Sequence, residues 1–70
     1  MRKYHTLLER DAKDAPWCIA FGDYDRETVI GERESYIDSG TRRANLKIIT
    51  TGAAQKSIDA KVAELNGVQP

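Results

Sequence analysis

Seventy residues of 7.9 kDa are expected to form one domain, 1–70, with no room for a second domain or for a cofactor cleft between subdomains. Apolar residues make up 40% of the chain and charged residues 31%, too apolar for intrinsic disorder and too polar for a membrane span. Eleven Lys and Arg balance eleven Asp and Glu, so the whole molecule has no strong preference for nucleic acid or anionic lipid.

The first nine residues are basic but lack the apolar run of a secretory signal, so a cytoplasmic location is expected. Lys3 to Glu9 is predicted as a strand, with Tyr4, Thr6 and Leu8 on one face and His5, Leu7 and Glu9 on the other. The polar cluster from Arg10 to Pro16 forms a loop. Trp17 to Asp23 is a second strand, antiparallel to the first, whose bulky side chains (Trp17, Ile19, Phe21) alternate with small ones (Cys18, Ala20, Gly22). Cys18, the only cysteine, has no partner for an internal disulfide and fits a packed position in a reducing compartment.

Asp25 caps a helix from about Arg26 to Ser39, Glu27 complements its positive end, and Gly40 ends it. Gly31 weakens that helix by about 1 kcal/mol relative to Ala. Thr41 to Ala44 is a basic connector, and Asn45 to Thr51 a third strand. The second helix runs from Gly52 or Ala53 to Asn66, with Ala54, Ile58, Val62 and Leu65 on one stripe; Gly67 closes it and Val68-Gln69-Pro70 is expected to fray. The predicted fold is α+β in the order ββαβα: a three-stranded mixed sheet with two helices on one face. The expected strand order is 2-1-3, with 1-2-3 as the alternative.

Charge is distributed unevenly. From Asp23 to Asp38 there are six acids against two bases, whereas Ser39 to Ile58 holds Arg42, Arg43, Lys47 and Lys56 and no acid. Such blocks pair with each other across two copies as readily as with a foreign polyanion. At about 100° per residue, Arg33 falls at the centre of the apolar arc of Val29, Ile30, Tyr36 and Ile37, and Arg26 lies close to it. Either their heads reach acids at the sheet edge, or they line an anion- or partner-binding groove with Arg42 and Arg43.

Other constellations read as structure. Asp23-x-Asp25-x-Glu27 lacks the remaining oxygen ligands of a calcium loop and serves as a helix cap. His5 and Cys18 lie on neighbouring strands, yet no orienting group or oxyanion loop accompanies them. The Thr51-Gly52 step could hold a phosphate at a helix start, but one glycine is not a phosphate-binding loop, and a plain strand-to-helix turn is the favoured reading. No catalytic set, metal site or cofactor is expected. Trp17, Ile19 and Phe21 either form the core or remain as a stacking or docking platform, and a sheet covered on one face would leave Leu7 and Ile49 as dimer contacts.

The run Trp17-Cys18-Ile19-Ala20-Phe21-Gly22-Asp23-Tyr24-Asp25-Arg26-Glu27, with Leu46-Lys47-Ile48-Ile49-Thr50-Thr51, resembles small uncharacterised proteins encoded by bacteriophages and prophages. That resemblance implies no activity. Thr51-Gly52-Ala53-Ala54-Gln55-Lys56 also resembles the last helix of double-stranded RNA-binding domains, a family that wants a lysine cluster where this chain has Lys56 and that begins with a helix. The expected function is a non-enzymatic protein acting through protein contacts, first with a second copy of itself, in a phage or prophage accessory role and with no membrane partner. The alternative is nucleic-acid binding through Arg42, Arg43, Lys47 and Lys56 with Arg33 or the Trp17 face.

Overall fold

A computed structural model of the chain describes residues 3–67. Its elements are β1 (Lys3–Glu9), β2 (Cys18–Asp23), α1 (Arg26–Asp38), a 3₁₀ turn over Arg43–Asn45, β3 (Leu46–Gly52) and α2 (Gln55–Leu65). Val68, Gln69 and Pro70, expected to fray, lie outside the described residues.

The fold is α+β, and the strand order is β2-β1-β3. β1 pairs antiparallel with both neighbours, so the sheet is antiparallel throughout and not mixed. β2 and β3 do run in the same direction, because α1 carries the chain across the sheet between them. They never pair, since β1 lies between.

Thr6, Leu7 and Leu8 in β1 are 1%, 0% and 0% exposed. Successive strand residues point to opposite faces, so both faces must be covered. On one side Leu7 packs with Val29 of α1 and Leu46 of β3, ringed by Ala20, Phe21, Tyr36, Ile37 and Ile48. On the other, Thr6 and Leu8 share a face with Ile49, which stands opposite Thr6, and α2 buries Ile58. The helices therefore lie on opposite faces, not on one. The extents of 32 × 28 × 12 Å agree: the thin dimension matches a sheet of two strand spacings of about 4.8 Å each. Leu7 and Ile49 point to different faces, both buried inside the monomer, so neither is a dimer contact.

β2 departs from simple alternation. Leu7 pairs with Phe21 and Leu8 with Ile19, leaving Ala20 as an extra residue in a bulge. The added residue turns Phe21 to the α1 side with Ala20 while Ile19 stays on the α2 side. The expected single bulky face of Trp17, Ile19 and Phe21 is thus split between two layers.

Local signals set the helix ends. Asp25 is extended (φ −93°, ψ 111°), and its carboxylate accepts from the Glu27 amide at 3.0 Å and the Thr28 hydroxyl at 3.2 Å. At the other end Gly40 has φ 108°, a conformation only glycine adopts cheaply. It lets the Gly40 amide reach the Ile37 carbonyl and the Thr41 amide reach the Tyr36 carbonyl, each at 3.0 Å. α2 starts later than expected because Gly52 still pairs with Lys3 and Ala54 remains extended (φ −66°, ψ 133°). Asn45 closes the 3₁₀ turn, its amide bonded to the Arg42 carbonyl at 2.9 Å, and so precedes β3.

Gly31 is exposed on α1 and a methyl group there would meet nothing within 4 Å. Gly31→Ala is expected to stabilise the protein by about 1 kcal/mol through backbone entropy alone. Urea unfolding followed by circular dichroism measures this; a loss of stability would show that residue 31 does not sit on an open helix face.

Candidate functional site

The antiparallel order brings the β1–β2 loop, the α1–β3 connector and the end of α2 to one end of the sheet. Arg10 leaves β1 there. Its amide bonds to the Asn45 carbonyl at 3.0 Å, which extends the β1–β3 ladder by one step. Its guanidinium donates from Nε to Asn45 Oδ1 at 3.2 Å and from Nη2 to the Ala44 carbonyl at 3.0 Å. The same group stands 4.5 Å from the Trp17 ring centroid, a cation–π contact that fixes its plane, and Lys47 Nζ stands 6.0 Å from that centroid.

Trp17 is held from the opposite side of the chain. Asn66, at the C-cap of α2, accepts from the Trp17 amide at 2.6 Å through Oδ1 and donates to the Trp17 carbonyl at 3.2 Å through Nδ2. One side chain thus satisfies both main-chain groups of a residue just before β2 and ties the last helix to the hairpin.

Two clefts adjoin at this end and share Arg10 and Lys13. One, of about 510 Å³, has Arg10, Lys13 and Arg42 around it with Asp11 and Asn45. The other, of about 370 Å³, lies between Lys13, Asp14, Trp17 and the Leu65–Asn66 end of α2. Three cations from two separate segments meet around the larger cleft, against one acid.

The remaining basic residues are dispersed. Arg26 is exposed at the start of α1 and Arg42 lies beyond its end, about 18 Å of helix away. Arg33 is partly buried and turns to Glu34 at 3.2 Å, and Arg43 reaches the same carboxylate oxygen at 3.6 Å. Of the two readings of Arg26 and Arg33, the groove with Arg42 and Arg43 is not formed: Arg33 and Arg43 converge on an acid, Glu34, and Arg42 belongs to the other cluster. Lys56 sits on the first turn of α2 at the far end of the sheet. Of the basic stretch, Arg42 and Lys47 reach the Arg10 cluster, and Arg10, Lys13 and Asn66 join them from segments read in sequence as a plain loop and a helix end. The signal was the strand order: 2-1-3 with antiparallel pairing places the loop after β1 beside the connector before β3.

His5 pairs across β1–β2 with Asp23 and Cys18 with Glu9, four residues along β1 or roughly 13 Å apart. They do not meet. His5 Nδ1 instead shares a hydrogen bond with Thr50 Oγ1 at 2.8 Å, and the exposed Cys18 thiol faces the Pro16 carbonyl at 3.9 Å. Two carboxylates of the acidic run bond main-chain amides: Asp23 accepts from the Asp25 amide at 2.8 Å and Asp25 from the Glu27 amide at 3.0 Å. Among the described residues no group of three or more His, Cys, Asp or Glu is placed to hold a metal ion, and no helix is long and apolar enough to cross a membrane. No family model, curated protein or solved structure matches this chain.

Asn66→Ala removes both bonds to Trp17 and leaves its half-buried amide and carbonyl unpaired. A destabilisation of about 1–3 kcal/mol is expected, with a red shift of Trp17 emission in the native state. Unchanged emission and stability would show that α2 is not anchored at this point.

Proposed function

We propose that this chain is a small binding module rather than an enzyme, and that its basic end takes a polyanion, a nucleic acid, through its phosphates. The observation that carries this reading is the convergence of Arg10, Lys13 and Arg42 around one cleft, with Lys47 beside it. Arg10 is held in place before any ligand arrives, so it loses little side-chain freedom on binding, and guanidinium N–H groups not used by Asn45 and Ala44 remain for phosphate oxygens. The Trp17 ring already carries Arg10, which favours backbone contact over base stacking and hence little sequence preference. A net charge of zero gives no long-range steering, so affinity is modest and depends on the local cluster.

Fluorescence anisotropy of a labelled oligonucleotide tests this. If three to four phosphates are neutralised, log K falls with log salt at a slope of about −3 on duplex DNA. Arg42→Ala is expected to reduce the slope by about 1, and Lys56→Ala to leave it unchanged. Binding that is absent at low salt, or insensitive to Arg42→Ala, overturns the reading.

One observation favours a second reading, contact with protein. Ile19 is 48% exposed on the edge strand β2, beside the exposed Cys18. In this reading a second copy pairs along β2, the acidic and basic blocks of the two copies complement one another, and the chain serves as a phage or prophage accessory protein. Sedimentation velocity at micromolar concentration is expected to show a dimer that Ile19→Lys converts to monomer. A wild-type chain that stays monomeric removes this reading.

A further inference from the structure

Three cations surround one concave space at the basic end, Arg10 and Lys13 from the loop after β1 and Arg42 from the α1–β3 connector, and among the described residues Asp11 is the one carboxylate in the lining. The lining therefore carries an excess of two positive charges. Among the described residues neither Lys13 nor Arg42 has an ion-pair partner, so this excess is not neutralised within them. We infer that the cleft seats the terminal phosphomonoester of a nucleic-acid strand, with the attached nucleoside in the smaller cleft beside it. This rests on the polyanion reading of the same end and narrows it to one part of the strand.

Charge decides between the end of a strand and its interior. An internal phosphodiester carries a single negative charge, whereas a phosphomonoester carries about 1.5 to 2 at pH 7 and so matches the excess in the lining. Interior phosphates also follow one another along the strand, and a row of cations suits them better than three around one space. Arg10 is prepared for the group. Of the five N–H groups of a guanidinium, it commits one to Asn45 and one to Ala44, and the Trp17 ring at 4.5 Å fixes its plane. The remaining donors can form the paired bonds that a guanidinium makes to two phosphate oxygens.

The smaller cleft accounts for what is attached to the phosphate. It shares Arg10 and Lys13 with the larger one, so a group held between those side chains borders both spaces. Among the described residues no other cation lines it and Asp14 does, which leaves no counter-charge for a second phosphate. A neutral group fits instead. Ala15, Pro16, Trp17 and Leu65 supply apolar surface, Asp14 is an acceptor for a sugar hydroxyl, and the volume of about 370 Å³ is within the range that holds small organic ligands. Lys47 lies outside both linings, 6.0 Å from the Trp17 centroid, and is left for the next phosphate, which favours a strand over a free nucleotide.

Competition against a labelled oligonucleotide on the full chain tests this, using short single strands of one sequence that end in hydroxyls or in a phosphate at the 5′ or 3′ end. A hydroxyl-ended strand one nucleotide longer controls for an added internal phosphate. One phosphorylated end is expected to bind about tenfold more tightly than either hydroxyl-ended strand, and which end it is gives the strand direction. Lys13→Ala, at an exposed loop position, is expected to remove most of that gain, and Lys47→Ala to weaken all strands alike and keep the ratio. Equal binding of phosphate- and hydroxyl-ended strands, or a gain that survives Lys13→Ala, overturns the proposal and leaves the polyanion reading standing. A phosphoserine peptide or thymidine monophosphate that competes as well as the phosphorylated strand overturns the assignment to a strand end, and binding by no strand overturns both readings.

Discussion

Three consecutive residues of β1, Thr6, Leu7 and Leu8, are withdrawn from water, and because neighbours on a strand point to opposite faces, each side of the sheet needs its own cover. Among the described residues there are two α-helices, and one lies on each side. Burying each Leu contributes about 1.5–3 kcal/mol, against a net stability for small domains of only about 5–15 kcal/mol, so neither face can be left open. The central place of β1 accords with the same need: the middle strand is paired on both edges and buries three successive residues, whereas β3 at the edge buries only Leu46 on one face and Ile49 on the other. α1 then crosses from β2 to β3 over the Leu7 face, and α2 returns over the Thr6 and Leu8 face.

That layering removes the simplest argument for dimerisation, the existence of a bare sheet face, and moves attention to the ends and edges. At one end the loop after β1, the connector before β3 and the last residue of α2 meet, and the contacts there are mostly polar: Asn66 on Trp17, Arg10 on Asn45, Ala44 and Trp17. At the other end α2 begins without a side-chain cap beside the unpaired buried hydroxyl of Thr6. These two sets of polar groups lie at opposite ends of one sheet.

The bulge at Ala20 connects these themes. By reversing the alternation within β2 it gives Phe21 to the α1 core and leaves Ile19 on the α2 side, so both layers receive an apolar residue from a six-residue edge strand. A bulge also twists an edge and makes it a poorer template for continuous pairing. Any partner along β2 must accommodate that twist, which restricts it to a short stretch around Cys18 and Ile19.

The sequence by itself determined the order of strands and helices, the cap at Asp25 and the stop at Gly40, because each rests on local chemistry; for the spatial order it favoured 2-1-3, from apolar residues on both faces of β1 at Leu7 and Leu8, and left 1-2-3 open. It also placed Arg42 and Lys47 among the basic candidates. Which helix covers which face was decided only by the tertiary structure. Leu7 and Leu8 announced two apolar faces, yet the stripe on α2 does not encode a side, and α1, with Arg33 in its apolar arc, is a poor guide to any. The split of Trp17, Ile19 and Phe21 was equally hidden, since one bulge residue inverts a period of two without a composition signal. The meeting of Arg10, Lys13 and Arg42, and the cleft between Trp17 and Asn66, exist only once the strands are paired: both are built from residues distant along the chain that antiparallel register brings to a common end.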